Sequence, residues 1–98
     1  MYATIRTYRD PELADQLASR SDEVETVIGG TPGLRGYYLI RTDQGCTTIT
    51  IADDEAGVEE SSRRAADWLR DHASEISSSK PQVTTGEVLV TVGAGARA

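Results

Sequence analysis

His72 is the only imidazole in the 98-residue chain, and so the only side chain whose unperturbed pKa suits proton transfer near neutral pH. It follows Trp68, the single tryptophan, by four residues, which on a helix makes the two neighbours one turn apart. His72 is therefore the candidate catalytic base, and Tyr37, Trp68 and His72 are the candidate lining of a small-molecule pocket. A base needs an orienting carboxylate; Asp67, Asp71 and Glu75 are near in sequence and none is singled out. Each residue also has a structural reading. A histidine late in a helix interacts well with the C-terminal dipole, a tryptophan at a helix margin packs against a neighbouring loop or subunit, and a tyrosine in a strand fills the core. Tyr37 and Tyr38 are consecutive, so as strand residues they face opposite sides.

Other chemistries find little support. Cys46 is the only cysteine, which excludes an internal disulfide and any C-x-x-C metal or redox motif, and it reads as a small hydrophobe. Asp53-Asp54-Glu55 reads as the capping of a helix rather than as a cation site. Neither a metal nor a cofactor is expected. The net charge of −6 opposes a phosphate backbone, so nucleic acid is not an expected partner. No apolar run is long enough for a bilayer, and Met1 to Arg6 lack the layout of a secretion signal, so a cytoplasmic location is expected. Nine arginines against one lysine, with no asparagine, suggest a bacterial source of high GC content.

These residues must be positioned by elements that read strand, helix, strand, strand, helix, strand. Residues 2–8 alternate with period two, and Asp10-Pro11 ends that strand and opens a helix. Leu13, Leu17, Val24, Val27 and Ile28 form its apolar face, and Gly29-Gly30 and Pro32 end it. Arg20 interrupts that face; either the helix kinks and restarts near Ser21-Asp22, or Arg20 points inward at something anionic. Strands at about 35–41 and 46–53 form a hairpin across Thr42-Asp43-Gln44-Gly45. A second helix is expected over 55–76, with Val58, Ala65, Ala66, Leu69, Ala73 and Ile76 inward, and a last strand over 83–92. The domain is then 1–92, with residues 93–98 expected to be a disordered tail.

Two helices cover one face of such a sheet, which leaves the other to water or a partner. With Ile5, Leu39, Ile49, Ile51, Val88 and Val90 assigned to the helix side, the open side carries Tyr2, Thr4, Arg6, Tyr38, Ile40, Thr48, Thr50, Glu87, Leu89 and Thr91. That set is too apolar for plain surface and fits a homodimer of stacked sheets, with Tyr2, Thr4, Arg6, Tyr38, Ile40, Glu87 and Leu89 in the interface. Arg6 and Glu87 would be cross-strand neighbours within it.

The element order, the Pro32-Gly33-Leu34-Arg35-Gly36 turn, the aromatic second strand and the acidic Asp53-Asp54-Glu55 entry to the second helix resemble the antibiotic biosynthesis monooxygenase (ABM)-like superfamily. The resemblance implies an α+β fold: a ferredoxin-like βαββαβ protomer, a four-stranded antiparallel sheet with two helices on one face, paired as a dimeric α+β barrel. It also implies a ligand pocket between sheet and helices. Some members are cofactor-independent monooxygenases acting on polyketide phenols, and others degrade haem. The haem-degrading relatives use an Asn on the first strand, a Trp closing the third and a His in the second helix. This chain has no Asn, Ala52 after the third strand, and no His near Ser62, which disfavours haem breakdown. The functional expectation is a homodimeric small-molecule binding or assembly module, with a small apolar or aromatic ligand. The alternative is a cofactor-independent monooxygenase oxidising a small aromatic substrate, with His72 as base.

Overall fold

A computed structural model describes residues 1–72 and 80–93. Strand β1 (Tyr2–Tyr8) leads into two short helices, α1 (Leu13–Ser19) and α2 (Ser21–Gly29), then the hairpin β2 (Leu34–Thr42) and β3 (Gly45–Ala52). Helix α3 (Glu55–Asp71) and strand β4 (Gln82–Glu87) complete the order. The four strands form one antiparallel sheet in the order β2-β3-β1-β4. This is the ferredoxin-like α+β architecture, with the first helix divided in two.

The division falls at Arg20, whose φ of −116° and ψ of 32° leave the helical region. Restarting there lets α1 pack on β2 and β3 while α2 turns toward α3. Leu13, Ala14 and Leu17 from α1 and Val24 and Ile28 from α2 enter the core beside Tyr8 and Cys46. The Arg20 side chain lies at 3.4 Å from Glu23 on the surface.

After α2, Thr31-Pro32-Gly33-Leu34 reverse the chain. The Leu34 N–H donates to the Thr31 carbonyl at 3.3 Å, and Gly33 has φ +72°, the arrangement of a type II turn with proline and glycine in the two central places. The Asp53 N–H donates to the Gly33 carbonyl at 2.9 Å, which fixes this turn against the end of β3. Helix α3 starts at once, capped by the Asp54 carboxylate accepting from the Gly57 N–H at 2.9 Å. At Gly57 a β-carbon would lie 2.9 Å from both the Ala52 side chain and the Pro32 carbonyl, so only glycine lets α3 approach so closely. Arg64 of α3 donates to the Val27 carbonyl at 3.3 Å and pairs with Glu60, tying α3 to the end of α2.

Several expected boundaries are corrected. Strand β4 stops at Glu87; beyond it the Val88 N–H donates to the Met1 carbonyl, and Leu89, Val90 and Val92 stand exposed. Helix α3 ends at Asp71, and the inward positions assigned to Ala73 and Ile76, with the tail from residue 94, lie outside the described residues.

The larger correction concerns the two faces of the sheet. Thr4, Arg6, Thr48 and Thr50 are buried beneath the helices, and Tyr2 and Glu87 share their row. Ile5, Ile49 and Ile51 lie on the outer face with Tyr38 and Ile40, where Ile5 is 39%, Tyr38 55% and Ile40 42% exposed. Leu39 does point to the helix side, and Leu89 lies beyond the sheet. Arg6 and Glu87 are not neighbours, because the register sets Arg6 opposite Val83 and Glu87 opposite Tyr2. The polar row can be internal because its members satisfy one another's hydrogen bonds.

Candidate functional site

Period two along β1 sends Thr4, Arg6 and Tyr8 to the helix side, where the β3 register supplies Thr50 opposite Thr4 and Thr48 opposite Arg6. Helix α3 brings Ser61 and Ser62 over the same spot. The Arg6 guanidinium, in a residue only 2% exposed, therefore meets four hydroxyls. Its Nε donates to Thr48 Oγ1 at 3.0 Å and its Nη2 to Thr50 Oγ1 at 2.7 Å. Its Nη1 donates to Ser62 Oγ at 2.9 Å and to Ser61 Oγ at 3.4 Å, while Ser61 itself donates to the Val58 carbonyl at 2.7 Å.

All four partners are neutral, and none of the ion pairs among the described residues involves Arg6. Burial pulls the guanidinium below its ordinary value, opposed only by the Tyr8 and Tyr37 phenols. An arginine still keeps its proton at neutral pH, so a full positive charge sits under the helices with hydroxyl dipoles in place of a counter-ion.

Beside this charge a cleft opens between sheet and helices. Arg6, Tyr8, Tyr37 and Thr48 line it from the sheet; Leu17, Val24, Val27 and Ile28 line it from α1 and α2, and Ala65, Trp68 and Leu69 from α3. Its cavity volume is about 30 Å³, room for roughly two water molecules, and the cleft widens from there to an open mouth. Arg6 is the only charged side chain in that lining. A shallow hollow lined by Asp22, Glu23, Thr26, Val27 and Trp68 adjoins it on the outside.

The two phenols are held protonated. Burial raises Tyr8, and burial pushes Tyr37 up to about 12, with Arg6 acting in the opposite direction on each. For Tyr37 the folded chain holds the proton more firmly than the unfolded one, whose value is about 10. Its contribution to stability is thus fully present below pH 10 and is lost as pH rises through about 12. Denaturant unfolding from pH 8 to 12 should show a fall of about 2 kcal/mol in that window that Tyr37→Phe removes.

Of the residues singled out from sequence, the structure brings Tyr37 and Trp68 into one cleft and leaves His72 outside its lining. His72 caps the C-terminus of α3; its Nδ1 is 2.8 Å from the Trp68 carbonyl, and its ring stacks on Trp68 with centroids 4.3 Å apart. Tyr38 stands on the outer face. Asp54 caps α3, Asp53 pairs with Arg35, and Cys46 is buried. Among the described residues no group of three His, Cys, Asp or Glu side chains could hold a metal ion, and no helix is long and apolar enough to cross a membrane. Sequence reasoning missed the Arg6 cradle: it places Arg6, Thr48 and Thr50 on one face, but as the outer one, and the only signal was that hydroxyl residues share that face with the arginine.

No family profile matches the sequence, and no curated protein matches it. Solved structures do share its fold. The haem-degrader MhuD from Mycobacterium tuberculosis, with two haems bound in its active site, superposes with TM-score 0.72 at 17% identity, over 95% of this chain and 100% of that one. A protein of unknown function from Nitrosomonas europaea gives 0.68 at 19% identity, over 93% and 90%. A monooxygenase of Streptomyces coelicolor in complex with nanaomycin D gives 0.59 at 17% identity, over 92% and 91%. The chain thus has the ferredoxin-like α+β fold of the antibiotic biosynthesis monooxygenase-like proteins.

Proposed function

We propose that this chain is a homodimeric binding module that holds a small, largely apolar molecule in the cleft between sheet and helices. The observation that carries the reading is the cleft itself: aliphatic walls from three helices, Trp68 at one side, and a few polar groups gathered on the sheet. Fold neighbours that carry haem or nanaomycin D support a small-molecule role. Haem is disfavoured because the sole imidazole is outside the lining, whereas a small aromatic compound would sit in the open mouth with its polar end turned inward.

Binding is favoured over oxidation because the lining offers no group poised to accept a proton near neutral pH. Tyr8 and Tyr37 are pushed upward and Arg6 is a cation. The outer face supplies the argument for the dimer: Ile5, Tyr38 and Ile40 are exposed on a row that Ile49 and Ile51 continue, a surface that a second copy related by a two-fold axis would cover.

Thermal-shift measurements with a panel of small aromatic compounds test the cleft. A compound present at about 100 times its dissociation constant should add roughly 2.7 kcal/mol of stability, and filling the cleft by Ala65→Trp should abolish the shift. A panel that shifts the wild type and the filled variant equally would place binding elsewhere.

A further inference from the structure

We infer that the ligand is an anion: the molecule taken into the cleft carries one negatively charged oxygen, a carboxylate or a phenolate, which pairs with the Arg6 guanidinium. This inference rests on the cleft reading above and names the chemical class of its occupant.

The argument starts from the cost of a buried charge. Removing a guanidinium from water is expensive, and it is tolerated where an opposite charge or a full set of hydrogen bonds replaces the solvent. Here the described structure supplies only hydroxyl dipoles: Thr48, Thr50, Ser61 and Ser62 take four of its bonds, while a guanidinium has five N–H donors. A site meant only to hold β1 against α3 would be served at lower cost by an apolar side chain, as replacements of buried ion networks in other proteins show.

The surroundings fit an anionic head and an apolar body. Arg6 is the only charge in the lining, next to the protonated phenol of Tyr37, and the opposite walls are Leu17, Val24 and Ile28. Water is scarce in an interior of this size, so a contact made there is screened less than one on the surface. Both phenols remain uncharged at neutral pH, so neither neutralises Arg6 from within. The carboxylates of Asp22 and Glu23 line the hollow outside, beyond Val27 and Trp68, and oppose the approach of an anion without entering the cleft lining. In a chain of net charge −6, the one cation in the cleft makes the pocket the opposite of the surface around it.

Calorimetry with benzoate and benzamide, which match in shape and differ in charge, provides the test. The wild type should bind benzoate about 10- to 100-fold more tightly than benzamide, as a hydrogen bond to a charged partner predicts. Arg6→Met should remove that advantage, so that benzoate and benzamide bind alike, and Arg6→Lys should restore part of it. 4-Nitrophenol measured above and below its own pKa separates the two sources of the charge, with tighter binding above it marking a phenolate site. Equal affinity of the wild type for benzoate and benzamide would overturn the inference and leave the cleft reading intact. Binding of none of the three probes would overturn both. The comparison within the wild type holds even if Arg6→Met fails to fold.

Discussion

Gly45→Ala is expected to destabilise the fold by about 3 kcal/mol, the upper end of what forcing extra atoms into a packed site costs. Gly45 opens β3 at the end of the hairpin loop, and the residue after it, Cys46, pairs with Tyr8 at the end of β1. A β-carbon there would sit 2.2 Å from the Tyr8 carbonyl oxygen and 2.7 Å from the Asp10 nitrogen. Both obstacles are backbone, so no rotamer change relieves them. Either the hairpin end lifts away from β1 or β1 shifts, and the second carries Arg6 and Tyr8 with it. Urea unfolding of Gly45→Ala beside Gly86→Ala gives the comparison, because a β-carbon at Gly86 meets nothing within 4 Å and should change stability by less than about 0.5 kcal/mol. Similar midpoints for the two variants would show that the β1–β3 corner is looser than the geometry requires.

In the homodimer proposed above, Ile49→Asp should convert the two-chain particle to a single chain. Ile49 lies on β3, an inner strand of the sheet, on the outer face opposite Ile5 of β1 and Tyr38 of β2. In a two-fold interface the substitution introduces the carboxylate twice, each facing apolar surface without a partner, and an uncompensated buried charge costs about 3 kcal/mol or more. The dimer dissociation constant should therefore rise by about a hundredfold or more. Sedimentation velocity at micromolar concentration reads the change, and circular dichroism shows whether the protomer keeps its fold. A wild type that already sediments as one chain would remove the dimer reading.

The fold was legible because its punctuation is local. Asp10-Pro11, Gly29-Gly30, Thr31-Pro32-Gly33 and Asp54 mark where the chain must turn or start a helix, and each acts through its own backbone or through a side chain within three residues. Even the interruption at Arg20 could be narrowed to two alternatives, and the structure shows a helix break there. The faces of the sheet were not legible, for a different physical reason. Along β1, one row is Ala3, Ile5, Thr7 and the other Thr4, Arg6, Tyr8; hydrophobicity alone sends Ile5 inward and Arg6 outward. The structure reverses this because the polar row is satisfied by hydroxyls from β3 and α3, more than forty residues away in sequence. That matching is a tertiary property which no window along β1 contains. The same reversal affects the candidate site: Tyr37 and Trp68 are recognisable as aromatic residues at element margins, whereas the pattern along β1 puts Arg6 on the opposite surface.

The cradle around Arg6 also has an evolutionary consequence. A lineage that loses the arginine leaves Thr48, Thr50 and Ser62 without their donor in a dry place, and one that replaces those hydroxyls with methyl groups strands the cation. Neither step is neutral alone, so the four positions should drift as a block. Descendants should carry either the cation with its hydroxyl escort or a wholly aliphatic quartet, and mixed sets should be rare.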